Sequence, residues 1–282
     1  MWRPVVGAPL TIESESGSVI ARSSLRTLGA THTPDFSYAF QPIVDMVARE
    51  IFSYEALVRG PLNEPAFRVL DAISADRRYQ FDQDSRIMAI GLAASLGLEC
   101  LLNLNFLPQS LLISGDSIDS TLNAARLSRL PVGRIVLEVT EGEIIADHVR
   151  FATLLNEYRA NGLKVAIDDF GAGYSGLNLL ANFQPDQVKI DMELVRGIEK
   201  HGPRQAIVRA ITQACEDLGI DVIAEGVETL PEYLWLAEQG IRLFQGYLFA
   251  KPGFEILPGI HYPDVVFRPD VVPGGRRVAP PK

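Results

Sequence analysis

The strict alternation of short apolar runs with helix-like segments constrains the fold of this chain more than any other feature. From residue 134 onward the sequence predicts strands at 134–141, 164–170, 187–191, 221–227 and 243–247, with helices at 145–161, 175–182, 203–218 and 230–239. Such alternation is typical of a parallel sheet that is covered by helices.

An antiparallel hairpin is predicted ahead of the alternating region. Apolar runs at 36–44 and 51–58 are separated by the link Asp45–Glu50, which is too short to carry a parallel crossover. A helix over Phe81–Leu98 and a strand over 101–106 follow. Eight strands in this order favour an α/β fold, a (β/α)8 barrel in which the first strand runs antiparallel to the others.

The charge balance narrows the class of partner. The chain has 282 residues, and its 26 Lys and Arg against 35 Asp and Glu give a net charge of −9. A chain of this sign gains no affinity by neutralising polymeric phosphate, so we expect no polymeric nucleic acid as a partner. The sequence has neither a signal-like start nor a run of about 18 apolar residues, which predicts a cytoplasmic protein without membrane contact. Cys100 and Cys215 lie in apolar stretches and are expected to be reduced core residues.

The two ends of the chain differ from its middle. Residues 1–35 are rich in Ser, Thr and Gly without clear periodicity, which indicates an N-terminal extension. Residues 253–282 are rich in proline, which favours an extended tail. The predicted functional domain therefore spans residues 36–252.

Polar side chains follow or end nearly every predicted strand. In (β/α)8 barrels the reactive groups lie at the carboxyl ends of the strands. The residues in question are Glu55, Asn105, Glu138, Asp168, Asp169, Lys189, Glu225 and Gln245. A single buried carboxylate would as readily have a structural partner, but convergence from seven strands is harder to explain in that way.

The ligand types at this rim favour a hard divalent cation. Oxygen donors without associated His or Cys suit Mg²⁺ or Mn²⁺ rather than zinc. Asp168 and Asp169 are adjacent at a strand end, where a turn of the chain would let both reach the rim, one toward each of two ions. A two-ion site supports in-line displacement at phosphorus by hydroxide.

Eight short motifs, in order and at matching spacing, carry a resemblance to a known family. They are QPIVD (41–45), YEALVR (54–59), NFLP (105–108), EVTE (138–141), DDFGAGYS (168–175), KID (189–191), AEGVE (224–228) and QGYLF (245–249). The chain resembles the EAL domain family, phosphodiesterases specific for cyclic di-GMP, over about residues 36–252. The resemblance implies hydrolysis of one phosphodiester bond, which gives the linear dinucleotide 5'-pGpG.

The resemblance also implies a role for each matching residue. Glu55, Asn105, Glu138 and Asp168 match the ligands of one ion, with Asp168 bridging and Asp169 on the second ion. Glu225 matches the carboxylate at the attacking water, and Lys189 the lysine that holds or polarises that water. Gln41, Arg59 and Gln245 would contact the substrate, and Glu141 and Glu228 would support the site.

Further expectations follow from the same resemblance. The segment Phe170–Leu177 is similar to the family's flexible loop between the active site and the dimer interface, which implies a homodimer. Mg²⁺ or Mn²⁺ would support catalysis, whereas Ca²⁺ would inhibit by occupying the site without aligning hydroxide.

Three alternatives remain open at this point. Asn103 lies on the same face of its strand as Asn105, and Asn105 is preferred because it is nearer the strand end and matches NFLP. A degenerate EAL domain that binds cyclic di-GMP or a protein without cleavage is the main rival function. An enzyme acting on a sugar phosphate has less support, because the sequence shows no Gly-rich phosphate loop at its last two strands.

Overall fold

The structure of the protein, a computed structural model, describes residues 34–107, 118–140, 148–173 and 176–263. One sheet runs through these residues. Its strands are β1 (Ser37–Asp45), β2 (Glu50–Arg59), β3 (Leu101–Asn105), β4 (Ile135–Thr140), β5 (Lys164–Phe170), β6 (Gln187–Ile190), β7 (Asp221–Ala224), β8 (Leu243–Phe244) and β9 (Gly253–Phe254). Residues 1–33, which make up most of the predicted N-terminal extension (1–35), lie outside the described part of the chain.

The sheet closes on itself as a barrel. Strands β2 to β8 pair in parallel in chain order, and β1 pairs antiparallel with β2 on one side and with β8 on the other. The short connection between β1 and β2 permits only this antiparallel arrangement. The predicted (β/α)8 barrel with an antiparallel first strand is therefore confirmed.

Helices connect the parallel strands. They are α1 (Ala66–Leu70), α2 (Arg78–Ser95), α3 (Asp119–Leu127), α4 (His148–Ala160), α5 (Gly176–Asn182), α6 (Met192–Val195), α7 (Gly202–Leu218) and α8 (Leu230–Glu238). Helix α8 begins with a capping box, in which Thr229 and Glu232 satisfy each other's backbone N–H groups. None of the helices in the described residues is long and apolar enough to cross a membrane.

Alternation along the strands separates two kinds of environment. In β6, Val188 and Ile190 belong to the main apolar core, whereas Gln187 and Lys189 do not. Because successive strand side chains point to opposite faces, these two polar residues face the barrel interior. A small separate cluster of Ile43, Ile223 and Leu243 contributes apolar filling.

Several predicted strands end earlier than expected. The predicted strands at 221–227 and 243–247 stop at Ala224 and Phe244. Beyond these two residues the chain enters loops, and these loops carry Glu225 and Gln245. Sequence patterns do not distinguish apolar loop residues from strand residues, which accounts for the difference.

The segment after residue 252 differs from the predicted extended tail. Strand β9 pairs with β1 through Ala39 and Phe40, a part of β1 that the two-residue strand β8 does not reach. The Tyr54 hydroxyl donates to the carbonyl of Pro258 at 2.8 Å, which ties the next turn to the barrel. Residues 253–263 therefore pack on the domain, and 264–282 lie outside the described residues.

Candidate active site

Lys189 lies at the centre of a cluster of carboxylates. Its ammonium nitrogen is 2.5 Å from Glu225, 2.9 Å from Glu138, 3.0 Å from Asp168 and 3.4 Å from Glu55, measured to the nearest carboxylate oxygen. The lysine side chain is 1% exposed. The charged groups thus meet at one point, as the sequence predicts. They come from strands β2, β4, β5 and β6 and from the residue that follows β7.

This cluster carries more negative charge than the one ammonium can balance. Burial raises the pKa of Glu138 to about 8, against the attraction of Lys189, and Glu55 and Asp168 raise it further. Burial likewise raises the pKa of Glu225 well above its usual range. Burial lowers the pKa of Lys189, but the surrounding carboxylates outweigh this and raise it well above its usual range. A divalent cation would relieve the repulsion and favour the ionised carboxylates.

A bulge near the end of β5 brings the two adjacent aspartates to the same rim. The pairing of β5 with β6 is interrupted between Ile167 and Phe170, and Asp169 adopts a positive φ of 52°. Asp is among the residues that tolerate this left-handed conformation. Asp168 is buried, whereas Asp169 is exposed. Partial desolvation by the surrounding chain, together with Asp168 and Asp191, raises the pKa of Asp169 to about 6.

Two asparagines of β3 contact carboxylates of the cluster. Asn103 is fully buried, and its Nδ2 donates to Glu138 Oε1 at 2.8 Å and to Gln187 Oε1 at 3.3 Å. Asn105 lies nearer the opening, is exposed, and places Nδ2 at 3.4 Å from Glu55 Oε1. The structure thus gives both asparagines a place at the site. Sequence reasoning missed Gln187, which only its inward position on β6 could have indicated.

Two glutamines lie beside Glu55: Gln245 contacts Glu55 directly, and Gln41 contacts Gln245. Gln245 Nε2 donates to Glu55 Oε2 at 2.7 Å and lies 3.4 Å from Gln41 Oε1. Gln41 Nε2 donates to the carbonyl of Ala250 at 3.1 Å. Both glutamines are buried, and Gln245 orients Glu55 directly.

Arg59 lies at the edge of a cavity beside the cluster. The cavity has a volume of about 320 Å³, and its polar end is lined by Arg59, Asn105, Glu138 and Thr140. Apolar residues such as Leu70 and Phe81 line it as well, together with Asp82, Ser85 and Arg86. Arg59 donates to the adjacent carbonyl of Val58 at 2.7 Å, so its guanidinium has further donors for an anion at this edge.

Glu228, one of the two predicted supporting residues, is not among the carboxylates around Lys189. Glu228 is half exposed, and its carboxylate forms an ion pair with Arg196 at 2.5 Å. Glu141 and part of the segment Phe170–Leu177 are outside the described residues. Glu232, which sequence reasoning missed, accepts the backbone N–H groups of Gly197, Glu228 and Thr229, and so joins the loop after α6 to the loop that follows Glu225.

The arrangement of carboxylates fits divalent cations. Glu55, Glu138 and Asp168 form one group whose oxygens lie within 4.8 Å of one another, and Asp168, Asp169 and Glu225 form a second. The two groups share Asp168. Glu138 Oε2 is buried without a hydrogen-bond partner in the described structure, and a metal ion would satisfy it. An all-oxygen donor set suits Mg²⁺ or Mn²⁺.

Comparison with known proteins settles the family. The family model for the EAL domain matches residues 24–252. The chain belongs to the EAL domain family. It is 39% identical over 228 residues to the blue light- and temperature-regulated antirepressor BluF of Escherichia coli, covering 80% of this chain and 57% of BluF. It is 42% identical over 118 residues to the cyclic di-GMP phosphodiesterase PdeR of the same organism, covering 42% of this chain and 18% of PdeR. The EAL chain thus spans little more than half of BluF and under a fifth of PdeR.

Solved EAL structures share the fold. A standalone EAL protein from Vibrio cholerae in its c-di-GMP-bound form is 47% identical, with a TM-score of 0.78, over 82% of this chain and 98% of that one. BlrP1 from Klebsiella pneumoniae in a manganese and cyclic di-GMP complex is 43% identical, with a TM-score of 0.76, over 80% of this chain and 58% of that one.

Proposed function

We propose that this EAL domain hydrolyses one phosphodiester bond of cyclic di-GMP and releases linear 5'-pGpG. The observation that carries the proposal is the convergence of Glu55, Glu138, Asp168 and Glu225 on Lys189, with two carboxylate groups that share Asp168. Relatives with this fold bind cyclic di-GMP, and PdeR is named as a phosphodiesterase that acts on it.

Two divalent ions, Mg²⁺ or Mn²⁺, would be held at this rim. Glu55, Asn105, Glu138 and Asp168 would hold one, and Asp168 with Asp169 the other. When bound, such ions lower the pKa of water and stabilise the oxygens that enter and leave phosphorus. The ions also make anion binding feasible, because the carboxylates alone would repel a phosphodiester.

Glu225 and Lys189 act on the attacking water. Glu225 is partly exposed, so one of its carboxylate oxygens is available to accept a hydrogen bond from water, while Lys189 contacts the other oxygen, Oε1. The lysine charge favours a negatively charged nucleophile beside it, and it holds Glu225 in one orientation. Groups fixed in this way stabilise charge that develops in the transition state.

The cavity beside the cluster would take part of the nucleotide. Arg59 at its edge would bind phosphate or base oxygens with the donors that Val58 does not use. Gln41 and Gln245, which lie beside Glu55, would contact the substrate there. The apolar lining from Leu70 and Phe81 is suited to a planar base.

A second candidate function is binding of cyclic di-GMP or a protein without cleavage. BluF is named as an antirepressor, which is not an enzyme name. This chain, however, keeps every residue of the predicted ion and water sites, and a binding module has no need for a buried lysine among four carboxylates. Catalysis is therefore the better account.

The proposal also includes an oligomeric state and a cellular location. We expect the chain to form a homodimer through the region of α5 and α6, which follow the strands that carry Asp168 and Lys189. We also expect the protein to act in the cytoplasm, because the proposed substrate is a nucleotide second messenger.

The proposal is tested by incubating the purified full chain with cyclic di-GMP and separating the products by chromatography. Linear 5'-pGpG should form with Mg²⁺ or Mn²⁺, and chelation should stop its formation. In Ca²⁺, whose bonds are longer and whose coordination is looser, the substrate should bind and stay intact. Tight binding without cleavage under every metal condition would instead establish the binding module.

A further inference from the structure

A buried ion pair lies behind the end of β3 that carries Asn105. Asp82 and Arg86 are one turn apart on α2, are 7% and 3% exposed, and contact each other directly. Neither residue belongs to the carboxylate cluster or to the motifs that mark the family resemblance. Because desolvation offsets the attraction in such pairs, net stability is a weak explanation for their presence.

The contacts of this pair reach the two residues that follow Asn105. Asp82 Oδ1 accepts the backbone N–H of Leu107 at 3.1 Å. The Arg86 guanidinium lies over the ring of Phe106, with 4.9 Å from its carbon to the ring centre. Arg86 Nε also donates to Thr121 Oγ1 on α3 at 3.3 Å, which fixes the guanidinium from behind.

The backbone after Asn105 is thus held at consecutive N–H groups. Phe106 donates its N–H to the carbonyl of Glu138 at 2.9 Å, and Leu107 donates to Asp82. Asn105 itself is exposed, with a single long contact to Glu55 among its described side-chain contacts. The direction of its amide therefore depends on the backbone that follows. Asp82 holds that backbone at Leu107, and Arg86 packs on the ring of Phe106.

We propose that Asp82 and Arg86 are positioning residues that keep Asn105 aligned with Glu55 and Glu138 as a ligand of a divalent cation. This inference rests on the proposed function, because it assigns the pair to the same ion site. Outer partners of metal ligands act in this way by fixing ligand orientation before the ion binds.

A calorimetric titration of the metal-free full chain with Mn²⁺ tests the inference without reference to turnover. Asp82→Asn removes the charge that faces Arg86 and should weaken Mn²⁺ binding about tenfold or more. The double variant Asp82→Leu with Arg86→Met removes both charges at similar volume, a change that is often neutral for stability, and should weaken binding by a similar factor. Val208→Ala, on the buried face of α7, is the control for general loss of stability and should bind Mn²⁺ as the wild type does.

Turnover against Mn²⁺ concentration supplies a second readout. In both Asp82 variants the Mn²⁺ concentration for half-maximal rate should rise, and the rate at saturating Mn²⁺ should recover more than the rate at low Mn²⁺. Wild-type Mn²⁺ affinity in the double variant would overturn the inference and leave the proposed function intact. Mn²⁺ binding by the wild type without cleavage would overturn the proposed function, whereas no Mn²⁺ binding by the wild type would overturn both.

Discussion

The ammonium nitrogen of Lys189 lies 2.5 Å from an oxygen of Glu225, although the two residues come from different parts of the barrel. The register of β6 with β7 places Ile190 beside Ala224, so that Glu225 follows one residue beyond the ladder. Its backbone N–H still donates to the carbonyl of Ile190 at 3.3 Å. The loop after β7 is therefore tied to the strand that carries the lysine, and the contact between the two charged groups is built into the sheet.

Replacement of Lys189 should affect chemistry more than binding. Lys189→Met keeps the length of the side chain but removes the charge beside the attacking water. We expect turnover with Mg²⁺ to fall by about a hundredfold or more, with cyclic di-GMP affinity in Ca²⁺ changed by only a few-fold. Lys200→Met, at an exposed lysine, is the control. Cleavage at the wild-type rate by Lys189→Met would show that the catalytic centre lies elsewhere.

Replacement of Glu55 should weaken ion occupancy and turnover together. Glu55 is the only member of the cluster that also contacts Gln245 and Asn105 among the described residues, and Glu55→Gln removes its charge without changing its size. The metal concentration for half-maximal rate should rise about tenfold or more, because a primary ligand is lost. Glu238→Gln, on the exposed side of α8, should leave that concentration unchanged. Equal metal dependence in the two variants would refute the ligand role.

Replacement of Arg59 should act mainly on substrate binding. A guanidinium that faces phosphate forms charge-assisted hydrogen bonds already in the ground state. We therefore expect Arg59→Ala to raise the dissociation constant of cyclic di-GMP, measured in Ca²⁺, by about tenfold or more, which corresponds to the roughly 1.5–3 kcal/mol of such a bond. Arg126→Ala, at an exposed arginine on α3, is the matched control. An unchanged dissociation constant with a lower turnover would place Arg59 in the chemical step instead.

Glu232 should make stability depend on pH. Burial raises the pKa of this carboxyl, but the N–H groups of Gly197, Glu228 and Thr229 together lower it below its usual value. Because the folded-state pKa is the lower one, the stabilisation is full above the unfolded pKa and is lost as pH falls through the folded pKa. Glu232→Gln should therefore lower the free energy of unfolding by roughly 1–3 kcal/mol at neutral pH.

The same difference between wild type and Glu232→Gln should shrink on acidification, and urea unfolding at several pH values measures it. Glu238→Gln should show no such change. A difference that stays constant from neutral to acidic pH would mean that the three N–H contacts do not depend on the ionised form.

The sequence predicts the barrel and most of the site because period-two alternation forces the inward residues together. Glu138, Lys189 and Gln245 each follow or interrupt an apolar run, and parallel strands bring such positions to one rim. Contacts that depend on distant segments left no local pattern. Examples are Asp82 with Leu107 and Glu232 with Gly197, which join residues 25 and 35 positions apart.

Backbone geometry accounts for the remaining differences. Strand β9 pairs with β1 only because the short β8 leaves part of β1 available, and no composition rule predicts this. Gly246 belongs to the QGYLF motif, which the sequence shows, but the sequence does not show why a glycine is needed there. A Cβ there would overlap the backbone of Val227, so glycine lets the chain that carries Gln245 pass close to the loop after Glu225.

The most direct test of the central claim is the fate of solvent oxygen during cleavage. Wild-type chain is incubated with cyclic di-GMP and Mg²⁺ in water enriched in the heavy oxygen isotope, and the linear product is analysed by mass spectrometry. Attack of site-bound water on phosphorus predicts one heavy oxygen in the terminal 5'-phosphate of pGpG, and Lys189→Met should form this labelled product about a hundredfold or more slowly under the same conditions. Intact cyclic di-GMP, or linear product without solvent oxygen in that phosphate, would contradict the account.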